Sequence, residues 1–163
     1  MELKKLMVDT KSVWIDFPGL DGFSVEIANL ARAELTSLRK RCTTTKFDRK
    51  TRQPIEDLDE DKFVEEFARS TVKNWKGLTL ENLETLVLID IEGKDPSTEL
   101  GFSEENALSL VTNSSEFDTW LNEVVFDLDN FRSRRKGRMH GKAGKATGET
   151  KHGDDDGKVS AAV

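Results

Sequence analysis

Residues 63–78, FVEEFARSTVKNWKGL, predict a helix on which the rest of the chain packs. Apolar and small side chains recur in this stretch at spacings of three and four residues, as on one buried face of a helix. They are Val64, Phe67, Ala68, Thr71 and Trp75, with Phe63 and Val72 beside them. Lys76 would lie in the last turn, Gly77 would close the helix in a left-handed conformation, and Leu78 would fold back onto it. We therefore expect Trp75 to anchor a core.

Upstream of this stretch, residues 13–27 predict a β-hairpin. VWIDF and FSVEI each place their apolar side chains at alternate positions, and PGLDG between them carries Pro-Gly and Asp-Gly pairs that favour a turn. In this pleat Trp14 lies on the face opposite to Val13 and Ile15, where it either marks a partner surface or is covered by a second layer.

The next residues predict a helix and a second hairpin. Residues 29–42 carry an apolar stripe of Ala31, Leu35, Leu38 and Cys42. TTTKF at 43–47 and QPI at 53–55 then favour two strands of a more exposed hairpin, with the proline at a sheet edge. The acids at 57–61 are expected to cap and begin the central helix, where they meet the positive end of its dipole.

Three further helices are expected downstream of residue 78. Thr79, Ser103 and Ser115 are the predicted caps, and VLIDI at 87–91 predicts a strand-like piece between the first two. The last helix has the clearest stripe: Phe117, Leu121, Val124, Leu128 and Phe131, flanked by Trp120 and Val125. Such a stripe suits a core, a groove or an oligomer seam. The fold class is thus α+β, with N-terminal hairpins packed on a bundle of about four to five helices.

The apolar pattern stops after Phe131. We expect a folded domain at 1–133 and a disordered, basic and glycine-rich tail at 134–163. Residues 132–163 hold 9 Lys and Arg against 4 Asp and Glu, a net +5, while the other 131 residues carry −11, which returns the −6 of the whole chain. An acidic body with a basic tail is not expected to bind nucleic acid along its length.

The residues of the predicted body do not form a familiar catalytic or metal site. His140 and His152 lie in the tail and Cys42 is the single cysteine, so we expect no catalytic residue, no metal site and a reducing compartment. The acids at 57–61 resemble a calcium loop, but Lys62 and Ala68 stand where that loop needs Gly and Glu. The tail's Gly-Lys pairs lack the upstream glycine of a phosphate loop. We expect neither an enzyme nor a cofactor, and no signal peptide or membrane span.

Several pieces of the chain together resemble the tail assembly chaperones of long, non-contractile-tailed bacteriophages. They are WKGL at 75–78, FSEEN at 102–106, NSSEF at 113–117 followed by Trp120, NFR at 130–132, and PGL at 18–20. The resemblance covers about residues 13–135. The candidate motif or partner-binding residues are Trp14, Trp75, Lys76, Gly77, Leu78, Phe102, Phe117, Trp120 and Phe131.

The resemblance implies a non-enzymatic factor that binds the tape measure protein, keeps it soluble and recruits tail tube protein. It also implies a frameshift-extended form of the chain, self-association into a multi-copy coat, and action in the cytoplasm of the infected host with absence from the mature virion. We expect part of the apolar surface near Trp14, Trp120 and Val125 to be shared with a partner helix or a neighbouring copy.

Two functions from other classes stay open. An acidic decoy that inhibits a nucleic-acid-binding protein would need its acids on one smooth face. A nucleic-acid accessory would bind through the basic tail, with a strong dependence on salt.

Overall fold

The computed structural model describes residues 1–8 and 10–132, and the predicted tail lies outside them. The described chain is α+β, as its sequence predicts. Its helices are α1 (Leu3–Leu6), α2 (Arg32–Arg41), α3 (Glu60–Thr71), α4 (Leu80–Leu86), α5 (Glu104–Asn113) and α6 (Ser115–Phe126). Its strands are β1 (Ser12–Asp16), β2 (Ser24–Ala28), β3 (Thr43–Phe47), β4 (Pro54–Leu58) and β5 (Val72–Lys76).

The predicted N-terminal hairpin is confirmed, and it forms most of an antiparallel sheet in the order β1-β2-β5. Trp14 pairs with Glu26 in this hairpin, and Phe17 N–H donates to Phe23 O at 2.9 Å where the strands meet the turn. β2 lies in the middle of the sheet, and each of its residues except Glu26 is buried. The alternating pattern therefore marks the inner face correctly, because Val25 and Ile27 lie at 0% exposure.

The predicted helix at 63–78 is wrong beyond Thr71. α3 ends there, and Thr71 Oγ1 donates back to Phe67 O at 2.7 Å. The chain then continues as β5, in which Trp75 pairs with Val25 and Val72 pairs with Ile27.

A β-bulge explains why this strand has the spacing of a helix. One step along β2, from Glu26 to Ile27, corresponds to two steps along β5, from Asn74 to Val72, so Lys73 is the extra residue. Both Val72 and Trp75 consequently face the core although they are three residues apart. A strand without a bulge would have placed them on opposite faces.

The starts of α3 to α6 follow the predicted capping residues with one shift, whereas the helix expected at 29–42 begins at Arg32. Asp59 caps α3 by accepting from Lys62 N–H, while Thr79 and Ser103 cap α4 and α5 in the same way. The cap of α6 is Ser114 rather than Ser115. Its Oγ accepts from Phe117 N–H at 3.2 Å, and the residue is 1% exposed. A buried hydroxyl needs this partner, since an unsatisfied one would be costly.

The strand-like piece expected at 87–91 is also wrong, because these residues form no strand. Val87 packs partly on the core, whereas Leu88 is fully exposed. The residues that follow turn locally: Asp90 accepts from Glu92 N–H, and Lys94 N–H donates to Ile91 O. A short apolar run of this kind forms a strand only where a neighbouring strand supplies hydrogen-bond partners.

The core lies between the three-stranded sheet and the helices α3, α5 and α6. α3 contacts α5, and α5 contacts α6. An aromatic cluster joins the two layers, in which Phe17 packs against Phe23, Phe117 and Trp120 at ring separations of 4.8–6.0 Å. The helical cover thus holds the first hairpin and its turn.

The predicted second hairpin is confirmed as β3–β4, with Thr43 opposite Leu58 and Phe47 opposite Pro54. It extends from the end of α2, where Asp59 N–H donates to Cys42 O at 2.8 Å. Every residue of its two strands is exposed except Thr43, which is half-buried.

Candidate partner-binding surfaces

The motif residues around Trp75 form a buried structural cluster. Trp75 is 5% exposed, its indole N–H donates to Leu100 O at 2.9 Å, and its ring meets Phe102 edge-on at 5.2 Å. Leu78, which is fully buried, accepts from Leu100 N–H at 2.7 Å. The expectation that Trp75 anchors the core is confirmed. These contacts tie β5 to the segment that leads into α5.

Gly77 adopts the left-handed conformation that its sequence context predicts, with φ +75°, but it follows a strand rather than a helix. A Cβ placed on it would lie 1.9 Å from Gly22 O in the turn of the first hairpin. Only glycine satisfies both the φ angle and this close approach of two backbones. Gly77 therefore joins β5 to the β1–β2 turn.

Phe117, Trp120 and Phe131 are also buried, at 0%, 9% and 7% exposure. Val125 lies at 1%, so the structure places both Trp120 and Val125 in the core rather than on a surface open to a partner. Phe131 lines the wall of a cleft of about 280 Å³ together with Val8 and Leu128. Phe117, Trp120 and Phe131 therefore hold α6 and the end of the described chain against the rest of the core.

Trp14 and Lys76 are the candidates that lie on the surface. Trp14 is 44% exposed, which decides between the two environments expected for it, and Lys76 Nζ lies 4.8 Å from the centre of its ring. A cation–π contact at an exposed site contributes about 0.5–1 kcal/mol. On the same face, Ser24 Oγ donates to Asp16 Oδ1 at 2.5 Å. Trp14 and Lys76 lie more than sixty positions apart in the sequence, and the sheet brings them together.

The structure also exposes large apolar side chains outside the candidate motif residues. They fall into three groups: Leu3, Leu6, Met7 and Val8 near the N-terminus, Phe47, Ile55 and Leu58 on the second hairpin, and Phe126 and Leu128 at the end of α6. Leu128 was expected on the apolar stripe of the last helix, but α6 ends at Phe126 and a 3-10 turn carries Leu128 outward to 60% exposure. For the second hairpin, the sequence did indicate exposure, because its proline was predicted to lie at a sheet edge.

Local turns and helix pairs account for the shifted pKa values. Hydrogen bonds from Lys50 N–H and Thr51 lower the pKa of Asp48, and those from Ser97 lower the pKa of Asp95. Glu104, followed by Glu65 and Glu66, raises the pKa of Arg69, and the contact to Glu104 links α3 to α5. These shifts belong to structural contacts on exposed side chains.

Within residues 1–8 and 10–132, no cluster of His, Cys, Asp or Glu side chains has an arrangement suited to a metal ion. In the same residues, no helix has the length and apolar character needed to span a membrane. Comparison with models of protein families, with curated proteins and with solved structures finds no match for this chain.

Proposed function

We propose that this chain is a non-enzymatic tail assembly chaperone of a long, non-contractile-tailed bacteriophage. It would bind the tape measure protein in the cytoplasm of the infected host, keep it soluble and recruit tail tube protein before leaving the finished tail. The sequence resemblance around WKGL, FSEEN, NSSEF and NFR suggests this class of function.

The observation that carries the proposal is the amount of apolar side chain that an acidic domain leaves exposed on separate elements. Phe47 and Leu58 are 74% and 38% exposed and share one face of the second hairpin, and Leu128 is 60% exposed after α6. Scattered single apolar residues are ordinary on a surface, but groups of them on neighbouring positions of one element favour contact with a partner. A long helical chain with apolar stripes is such a partner, and it would aggregate if left bare.

The charge of the body suits this role. Residues 1–131 carry a net −11, which disfavours non-specific association between copies while many of them coat one chain. Binding through apolar side chains should persist at high salt, because apolar burial is not screened.

The test is capture of this chain on tagged fragments of the tape measure protein encoded beside it, at low and at high salt, together with co-expression to measure tape measure solubility. We expect capture at both salt concentrations and a soluble tape measure. The double variant Phe47→Ser/Leu58→Ser, which alters one face of the second hairpin, should weaken capture at least tenfold. Leu88→Ser is the matched control, since Leu88 is fully exposed but lies outside the three apolar groups.

Absence of capture at every salt concentration, with the tape measure still insoluble, would contradict the proposal. Equal losses for the double variant and for Leu88→Ser would remove the second hairpin from the binding surface. A chain truncated after residue 132 should behave like the full chain. Salt-sensitive binding to DNA that disappears on this truncation would favour the nucleic-acid accessory instead.

A further inference from the structure

The two edges of the three-stranded sheet are built differently. At the β5 edge, Lys73 forms a bulge, and the segment around Leu100 lies against the strand through its bonds to Trp75 and Leu78. β1 has neither feature: its five residues, SVWID, pair with β2 in unbroken register and contain no proline or lysine. Natural proteins normally protect sheet edges with such devices, because a regular edge is a template for another strand.

The hydrogen bonds at both ends of β1 show which backbone groups point toward the free edge. Asn29 N–H donates to Lys11 O, and Phe17 N–H donates to Phe23 O, so both of these positions are hydrogen-bonded pairs with the β2 side of the hairpin. Such pairs alternate along an antiparallel ladder. The N–H and C=O groups of Ser12, Trp14 and Asp16 therefore point away from β2, toward an edge that no other strand of the described residues flanks.

We propose that a second copy of this chain pairs with this edge, β1 against β1 and antiparallel, about a two-fold axis at Trp14. This register places Trp14 opposite Trp14 of the second copy and Ser12 opposite Asp16. All the outward N–H and C=O groups of the strand then find partners. A two-fold interface of this kind uses the same surface on both copies, as closed dimers do.

Neighbouring registers leave some of the outward backbone groups of β1 without a hydrogen-bond partner. An axis at Ile15 places Ser12 opposite Pro18, which has no N–H to donate. An axis at Val13 places Asp16 opposite Thr10, which lies before the start of the strand. The self-complementary pattern of β1 therefore favours the axis at Trp14.

The side chains on this face agree with the register. The two indoles, each 44% exposed in the single copy, would lie side by side and bury apolar surface on the axis. Asp16 would face the hydroxyl of Ser12 rather than another carboxylate, so no like charges lie directly opposite. Lys76 supports each indole within its own chain. The pairing does not depend on the proposed function.

The first experiment measures the mass of the full chain by sedimentation over a range of concentrations. We expect a reversible dimer whose dissociation constant rises at least tenfold in Trp14→Pro, because proline removes an outward N–H at a position where an edge strand tolerates it. Trp14→Thr is the matched control: it also removes the indole but keeps the N–H, so it should weaken the dimer less. Circular dichroism checks that both variants fold.

A second experiment tests the register by oxidation. In Trp14→Cys the paired Cα atoms would lie about 5.5 Å apart, within the range that a disulfide spans, so a cross-linked dimer should form. Glu26→Cys lies one strand, about 5 Å, farther from the axis in each copy and should not cross-link. Native Cys42 is 1% exposed and should contribute little background.

A chain that stays monomeric at all concentrations would overturn this inference. So would a dimer that is insensitive to Trp14→Pro, or one that cross-links through Glu26→Cys but not through Trp14→Cys. Tape measure binding by a strictly monomeric chain would overturn the edge pairing while leaving the proposed function in place.

Discussion

The two hairpins of this protein have nearly the same local structure and opposite surroundings. Both consist of antiparallel five-residue strands in regular register. In the first hairpin β2 is buried along almost its whole length, because β5 flanks it and the helices cover it. In the second, β4 is exposed at every residue, and the hairpin's nearest support is α2. The comparison shows that strand pattern and turn determine a hairpin, whereas its stability depends on what packs against it.

The difference has a direct energetic meaning. A two-stranded hairpin by itself is marginally stable in water, while a third strand and a packed helix provide most of the stability of a sheet. The second hairpin adds an ion pair between Lys46 and Asp57 at 3.1 Å. Both side chains are exposed, so this pair contributes at most about 1 kcal/mol. We expect the two hairpins to open with different free energies.

The largest effect should come from Gly77→Ala, which disrupts the contact between the turn of the first hairpin and the end of β5. Alanine at a left-handed φ costs about 1–2 kcal/mol, and its Cβ would also clash with Gly22 O, so we expect a total loss of about 4 kcal/mol or more. Gly93→Ala is the control, since φ there is +76° with no atom within 4 Å. It should lose only about 1–2 kcal/mol on denaturant unfolding. Equal losses would show that the close approach to Gly22 is unimportant.

Trp75→Ala should lower the free energy of unfolding by about 3–5 kcal/mol, because it empties a core site and leaves Leu100 O without its indole donor. Trp14→Ala removes the same side chain from the exposed face of the same sheet and should cost less than about 1 kcal/mol. Urea denaturation of both variants gives the comparison. If the two losses were similar, the assignment of Trp75 to the core and Trp14 to the surface would be incorrect.

Substitutions on the second hairpin should matter little for global stability. Phe47→Ala removes a side chain that is 74% exposed, so the free energy of unfolding should change by less than about 0.5 kcal/mol. Hydrogen exchange should be faster for the amides of β3 and β4 than for the paired amides of β2. Similar protection in both hairpins would mean that the second hairpin opens only with the whole domain.

The smallest effect should be a local response of the second hairpin's turn to acid. Asp48 accepts from Lys50 N–H and Thr51, which lowers its pKa from the ordinary 3.8. A lowered pKa means that the bonds stabilise the turn above pH 3.8 and are lost as the pH falls through the lower, folded value. The amide signals of Lys50 and Thr51 should shift in that window in an NMR titration. Asp48→Asn, which does not titrate, should abolish the shift attributable to this carboxyl group.

Local signals predicted most of the elements. Alternation and turn residues located both hairpins, and side-chain oxygens at helix starts located the caps of α3, α4 and α5. The predictions were wrong where the presence or absence of a neighbouring strand decided which structure an apolar pattern forms. The three-residue spacing of Val72 and Trp75 belongs to a bulged strand next to β2, and VLIDI at 87–91 has no strand beside it.

The candidate surface was predicted less well than the fold. The motif residues Trp75, Leu78, Phe117, Trp120 and Phe131 are core residues, and Trp14 and Lys76 reach the surface. Aromatic motif residues in a sequence do not reveal whether a partner or the protein's own core surrounds them. The exposed groups around Phe47 and Leu128 depend on where strands and helices end, which single spacings do not determine.

The sequence by itself determined the fold class, the two hairpins, the starts of α3, α4 and α5 and the burial of Trp75, because alternation, turn chemistry and capping act over a few residues. Only the tertiary structure decided that residues 72–76 form a strand, that Gly77 meets Gly22, and that among the described strands β1 pairs on one side only, beside an exposed Trp14. Those features depend on contacts between residues far apart in the chain, and such contacts form only when the sheet and helices pack together.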